Sequence, residues 1–126
     1  MKLIRGEKMT KKIIDFMNDN KQIENLLIDF YEAYYQNDLL KIYSFLDSSF
    51  QRAIPLNYFL IHSDYSIELG YLKAIKNICV CKEKNQAFAE VLLEFKENEM
   101  EIQFFLQTDY GGWKIDGDLF SKLREM

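Results

Sequence analysis

The hydrophobic period of this chain changes once, near Gly70, and that change limits the fold more than any other feature. Before it, Ile23, Leu26, Leu27, Phe30, Tyr31 and Tyr34 recur three and four residues apart, the stripe of a helix with one apolar face. After it the period is two: Ala87, Ala89, Val91, Leu93 and Phe95 fall on one side of an extended chain, and Phe88, Glu90, Leu92 and Glu94 on the other. Helices first and strands second predict an α+β fold, with the N-terminal helices packed on the concave face of a curved antiparallel sheet.

The helical part divides at local signals. Asp19 followed by Gln22 has the form of a capping box, which starts a helix near residue 20 and runs it to about 36. Ahead of it, Thr10 to Met17 reads as a short helix stopped by Asn18-Asp19-Asn20. Residues 1–19 are therefore taken as a flexible or short helical segment and residues 20–126 as one domain. Asn37 suits the left-handed residue that ends a helix, and Asp38 suits the cap of the next, with Leu39, Ile42, Tyr43 and Leu46 on its apolar face. Pro55 opens a third helix that buries Leu56, Phe59 and Leu60, with Tyr58, Ile61, His62 and Tyr65 on the neighbouring side.

In the strand part, residues 71–82 place Leu72, Ala74, Ile78 and Val80 on one face, interrupted by Lys76. Residues 86–96 and 99–108 alternate more cleanly, the latter with Met100, Ile102, Phe104 and Leu106 inward. The polar links "KEKN" and "KENE" are short enough for hairpins, so the sheet is predicted to be a meander. Asp109 to Gly112 is read as the corner before a last short strand carrying Trp113 and Ile115, its glycines supplying positive φ. A phosphate cradle would need a helix N-terminus directly after the glycines, and none follows. Asp118 suits the cap of a final helix holding Leu119, Phe120 and Leu123.

Charge narrows the partners. The net charge is −4, from 16 basic and 20 acidic residues; residues 1–12 hold five basic groups and one acidic, leaving 11 against 19, or −8, on the rest. Nucleic-acid binding rests on clustered Lys and Arg, so an acidic body argues against it. No apolar run approaches the roughly 20 residues of a membrane span, and the N-terminal stretch lacks a signal peptide's apolar region, which places the protein in the cytoplasm. Cys79 and Cys81 lie two apart on one strand, at the far limit of disulfide geometry, and His62 is the sole histidine to join them around a metal. They are read as free thiols packed like small hydrophobes, with no metal and no cofactor.

The stretch "IENLLIDFYEAYYQNDLLKIYSFL", a helix with an aromatic end, a polar corner and a second apolar helix, resembles the opening of the nuclear transport factor 2-like, or cystatin-like cone, superfamily. "GGWKIDGD" is similar to its last hairpin. The resemblance implies a conical pocket between helices and sheet, and often a homodimer through the convex face. In the superfamily's isomerases a Tyr or Asp on the first helix works with a carboxylate soon after the second. Tyr31 stands near the first of these places, but the second falls near Ile54, so the matching acid is missing.

The candidate residues carry two readings each. Tyr31, Tyr34, Tyr58, His62, Lys76 and Trp113 would line a cone pocket for a small apolar ligand, and a cofactor-free isomerase, dehydratase or cyclase would use His62, Tyr31 and Tyr58. Against this, tyrosines at helical spacing are ordinary core, His62 is a polar residue at a helix end, and Lys76 is a bulge or rim residue. Phe88, Leu92 and Phe105 share their faces with Glu90, Glu94, Glu101 and Gln103 and should look outward, as an interface or under the N-terminal segment. The leading expectation is a non-catalytic binding or assembly domain that dimerises through the convex face, or an acidic immunity or inhibitor protein.

Overall fold

The computed structural model describes the backbone of residues 2–109 and 112–126 and the side chains of residues 19–109 and 112–126. In chain order the elements are α1 (Lys2–Tyr35), α2 (Leu39–Ser44), α3 (Ser48–Ala53), α4 (Leu56–Ile61), a single 3-10 turn at Ser63–Tyr65, β1 (Tyr71–Cys81), a second such turn at Lys82–Lys84, β2 (Gln86–Phe95), β3 (Asn98–Asp109), β4 (Gly112–Ile115) and α5 (Leu119–Arg124). The strands form one antiparallel meander in the order β1-β2-β3-β4. This is the expected α+β arrangement, with helices ahead of a curved sheet.

The periodicity built these elements through burial. Ile23, Leu27, Phe30, Tyr31 and Ala33 of α1 are buried against Ala89, Val91 and Leu93 of β2, Ile102, Phe104 and Leu106 of β3, and Trp113 and Ile115 of β4. Asn37 takes φ 57°, and the Asp38 carboxylate accepts from the Lys41 amide, so the predicted corner between α1 and α2 forms as expected. Gly70, at φ 80°, ends the helical half.

Asp19 corrects the reading of α1. No break occurs at Asn18-Asp19-Asn20, and Asp19 lies inside the helix. Its carboxylate accepts from Trp113 Nε1 at 3.2 Å and meets Lys82 Nζ at 3.1 Å. With one oxygen engaged by a side chain of the sheet and the other by one of the turn after β1, it no longer competes for backbone donors, which is what makes Asp a helix starter. The remaining side chains expected in the Thr10–Met17 helix lie outside the described residues, as does any cover they give the sheet.

Three further differences have local causes. Residues 48–53, for which the sequence reading gives no helix, form α3 because the Asp47 carboxylate accepts from the Phe50 amide at 3.1 Å; its other oxygen accepts from Gly117 at 3.0 Å. The helix after Pro55 stops at Ile61 and buries Phe59 alone, leaving Leu56 and Leu60 about as exposed as Tyr58. In β1 the register slips at Lys73 and again at Lys76. Each slip is a bulge that inserts one residue, so Ala74 moves to the outer face opposite Leu92, and Ile75 replaces it inside opposite Val91.

The last strand pairs as predicted, with Asp109 opposite Gly112. Gly112 already belongs to β4 and has no positive φ, while Gly111 and Tyr110 lie outside the described residues. The free side of β4 is closed by the chain after α2: Ile115 N–H donates to Phe45 O at 2.8 Å, and Asp47 N–H donates to Ile115 O at 3.0 Å. One edge of the sheet is thus covered.

Candidate functional site

The cone expected between helices and sheet is filled by side chains. Phe30, Tyr31, Phe59 and Phe104 are almost wholly buried, and Tyr31 stacks parallel to Phe104 at 6.4 Å between ring centres. A cavity of about 100 Å³ remains among Tyr34, Ile42, Phe59, Ile67, Leu69 and Phe120. Ligand pockets usually begin at about 300 Å³.

The tyrosine hydroxyls at the end of α1 are spent on the backbone that leads into β1. Tyr31 Oη donates to Leu69 O at 2.9 Å, Tyr34 Oη accepts from Leu69 N at 3.0 Å, and Tyr35 Oη accepts from Leu72 N at 2.8 Å. Helical spacing puts these three residues on one end of the helix, and the positive φ of Gly70 turns the chain past them. The last turn of α1 therefore grips residues 69–72. Burial, with the neighbouring Tyr35 and Tyr34, holds the Tyr31 hydroxyl well above the ordinary tyrosine pKa. Burial also raises Tyr35, against the lowering effect of the Leu72 amide. A phenol held neutral and committed to a carbonyl is a structural donor.

Of the other residues named for a pocket, Lys76 lines the open groove between α1 and β1 together with Tyr31, and the rest do not meet there. Trp113 is buried with its indole N–H on Asp19. Lys76 is exposed at its bulge. His62 sits at the end of α4, its ring stacked on Tyr58 at 4.6 Å between centres, and its Nδ1 accepts the Asp64 N–H at 3.1 Å. Nδ1 also lies 3.5 Å from an Asp64 carboxylate oxygen. The shorter contact makes Nδ1 an acceptor, so we read a helix-end cap rather than an ion pair. Tyr58 and His62 are thus brought together at the surface, while Tyr31 is spent inside.

On the outer face of the sheet Phe88 and Phe105 stand side by side, and the polar row of Glu90 and Gln103 separates them from Leu92. Phe88 lies opposite Phe105 on one side and Cys79 on the other, and Leu92 lies opposite Ala74 and Glu101. Phe105 is 42% exposed, and Phe88 and Leu92 are half-buried. A shallow groove of about 360 Å³ runs over Cys79, Phe88 and Phe105. Lys122 of α5 reaches over the Phe105 ring at 4.2 Å and donates to Gln103 O. Cys79 and Cys81 are free thiols, but they lie on this face rather than in the core, Cys81 exposed and Cys79 half-buried. Alternation fixed their side; the bulges upstream restored the phase that carries them outward.

Sequence reasoning missed two surfaces. Along α4, Leu56, Tyr58, Leu60 and Ile61 form an exposed apolar strip, with Ile61 at 83%. Between α1 and the unpaired edge of β1 runs an open groove of about 740 Å³. The helical period gave Leu56 and Leu60 a core role beside Phe59, and nothing local indicates that a helix this short touches the core along one line only. No protein-family model, curated protein or solved structure matches the chain.

Proposed function

We propose that this chain is a non-catalytic binding or assembly domain of the nuclear transport factor 2-like kind, working in the cytoplasm as a homodimer joined through the convex face of its sheet. The observation that carries the reading is the contrast between the two faces. The inner face is packed, and its hydroxyls are engaged by backbone, whereas the outer face presents Phe88 and Phe105 side by side, with Leu92 beyond the polar row of Glu90 and Gln103. Exposed apolar side chains set among polar and charged ones are the anatomy of an interface.

Magnitudes favour moderate affinity. Full burial of a large apolar side chain stabilises by roughly 1.5 to 3 kcal/mol, and Phe88 and Leu92 are already half-buried, so each contributes less than that. Doubling the face about a twofold axis also doubles its carboxylates, Glu90 and Glu101 among them, and their repulsion opposes the contact. In an inhibitor or immunity protein the same face would meet a basic partner instead, and the acidic body would speed the encounter.

Sedimentation of the full chain at micromolar concentration tests the proposal. The wild type is expected to dimerise and Phe105→Glu to shift to monomer. A wild-type monomer removes the homodimer. A dimer that survives Phe105→Glu and dissociates with Ile61→Lys places the contact on α4.

A further inference from the structure

The chain closes one edge of its sheet and leaves the other open. Residues 45–47 cover β4, but among the described residues β1 pairs only with β2, and its second edge faces the groove along α1. An unpaired strand edge offers a row of amides and carbonyls to another strand. Here a helix runs beside that row, so an added strand would be held on its backbone by β1 and on its side chains by α1. We infer that this groove binds an extended peptide as a fifth strand, and that the peptide carries a basic, an apolar and a second basic residue at alternate positions.

The pattern follows from the helix wall. Glu24, Ile28 and Glu32 line the helix wall at four-residue intervals, with Tyr35 beyond them, while Lys76 and Lys73, the latter 3.8 Å from the Glu94 carboxylate, line the strand wall. Ile28 is 38% exposed and Tyr35 46%, and neither glutamate forms an ion pair among the described residues. Eight helical residues rise about 12 Å. Four residues of extended strand span about 13 Å. A strand with an apolar side chain on Ile28 therefore sets the residues two before and two after it beside Glu24 and Glu32. Both of those positions face the helix, because alternate residues share a side.

One detail of the groove sets where an added strand starts. Tyr35 already satisfies the Leu72 amide, so new pairing begins past it, at Lys73. A second copy of β1 is the poorer occupant, since self-pairing crowds Lys73 and Lys76 of both copies onto one edge. This groove is separate from the Phe88 and Phe105 face, so its test does not depend on the dimer.

The test is titration of the isotope-labelled full chain with two capped seven-residue peptides, followed by amide NMR. One peptide has lysines at its second and sixth positions around a central isoleucine; the other has glutamates there; threonines fill the rest. The lysine peptide is expected to shift the amides of residues 73–78 and 24–35, and to bind at least tenfold more tightly than the glutamate peptide. Glu24→Lys combined with Glu32→Lys is expected to reverse that preference, which a merely misfolded variant cannot do. N-methylating the lysine peptide on alternate amides, in both phases, is expected to abolish binding in at least one. Equal affinity for the two peptides, shifts confined to the Phe88 and Phe105 face, binding indifferent to methylation in both phases, or no saturable binding of either peptide at millimolar concentration overturns the inference.

Discussion

Replacing Tyr31 with Phe isolates the grip of α1 on residues 69–72. The ring remains, with its stack on Phe104 and its edge contacts to Phe30 and Tyr34, and only the hydroxyl donated to Leu69 O at 2.9 Å is lost. That bond is buried, and removing one partner of a buried hydrogen bond costs about 1 to 3 kcal/mol. For a domain of this size, each kcal/mol lowers Tm by about 3 to 5 °C. Urea unfolding of Tyr31→Phe should show a lower midpoint at unchanged slope. Tyr34→Phe acts on the same residue through the Leu69 amide, so the double variant should depart from additivity by about 0.5 kcal/mol or more. A Tyr31→Phe cost below about 0.3 kcal/mol, or strict additivity with Tyr34→Phe, would refute the grip. The alkaline limb adds a second readout. Burial raises the folded pKa of Tyr31, and also that of Tyr35, Tyr43 and Tyr65, above the ordinary tyrosine value of about 10. Their stabilisation is therefore complete below the unfolded pKa, about 10, and is lost as pH rises through the folded values. Alkaline unfolding should begin above about pH 10, with a shallower pH slope in Tyr31→Phe.

Other predictions rest on close approaches and turn geometry. A Cβ on Gly117 would run into the Phe50 ring, so Gly117→Ala should cost about 1 to 3 kcal/mol, and Phe50→Leu should recover part of the loss; thermal unfolding of both variants decides. Lys96 and Glu97 both take positive φ, 51° and 70°, in the two-residue β2–β3 turn, a conformation that favours Asn-Gly. Lys96→Asn with Glu97→Gly should raise stability by about 1 kcal/mol in urea; a loss would mean that the two native side chains hold the turn in some other way.

The sequence carried those parts of the fold that depend on neighbours along the chain. The Asn37-Asp38 corner, the helical stripe of α1 and the alternation of β2 and β3 each rest on spacing within a few residues, and each formed where expected. The parts it did not carry depend on partners far away. Asp19 reads as a helix start until Trp113, 94 residues on, takes its carboxylate. Asp47 starts α3 while also holding Gly117, 70 residues on. The β1 bulges were half visible: Lys76 broke the alternation, but the slip at Lys73 did not, and only pairing against β2 shows that Ile75 rather than Ala74 faces inward. The candidate site divided in the same way. Phe88, Leu92 and Phe105 were legible as outward because their own strands alternate regularly, whereas the tyrosines of α1 looked like pocket walls because spacing reports a shared face and not the destination of a hydroxyl. The groove along β1 left no local mark, since it is made by the absence of a fifth strand beside an 11-residue edge.

Cys79 supplies the most direct measurement of the outer face. It lies opposite Phe88 on that face and lines the same groove, so its thiol reports whether the face is covered. In a Cys81→Ser background, which leaves this thiol alone, its rate of alkylation should fall as protein concentration rises through the dimer range, and the fall should vanish in Phe105→Glu. A rate that stays constant while sedimentation records a doubled mass would contradict the account, because the dimer would then form without covering Phe88 and Phe105.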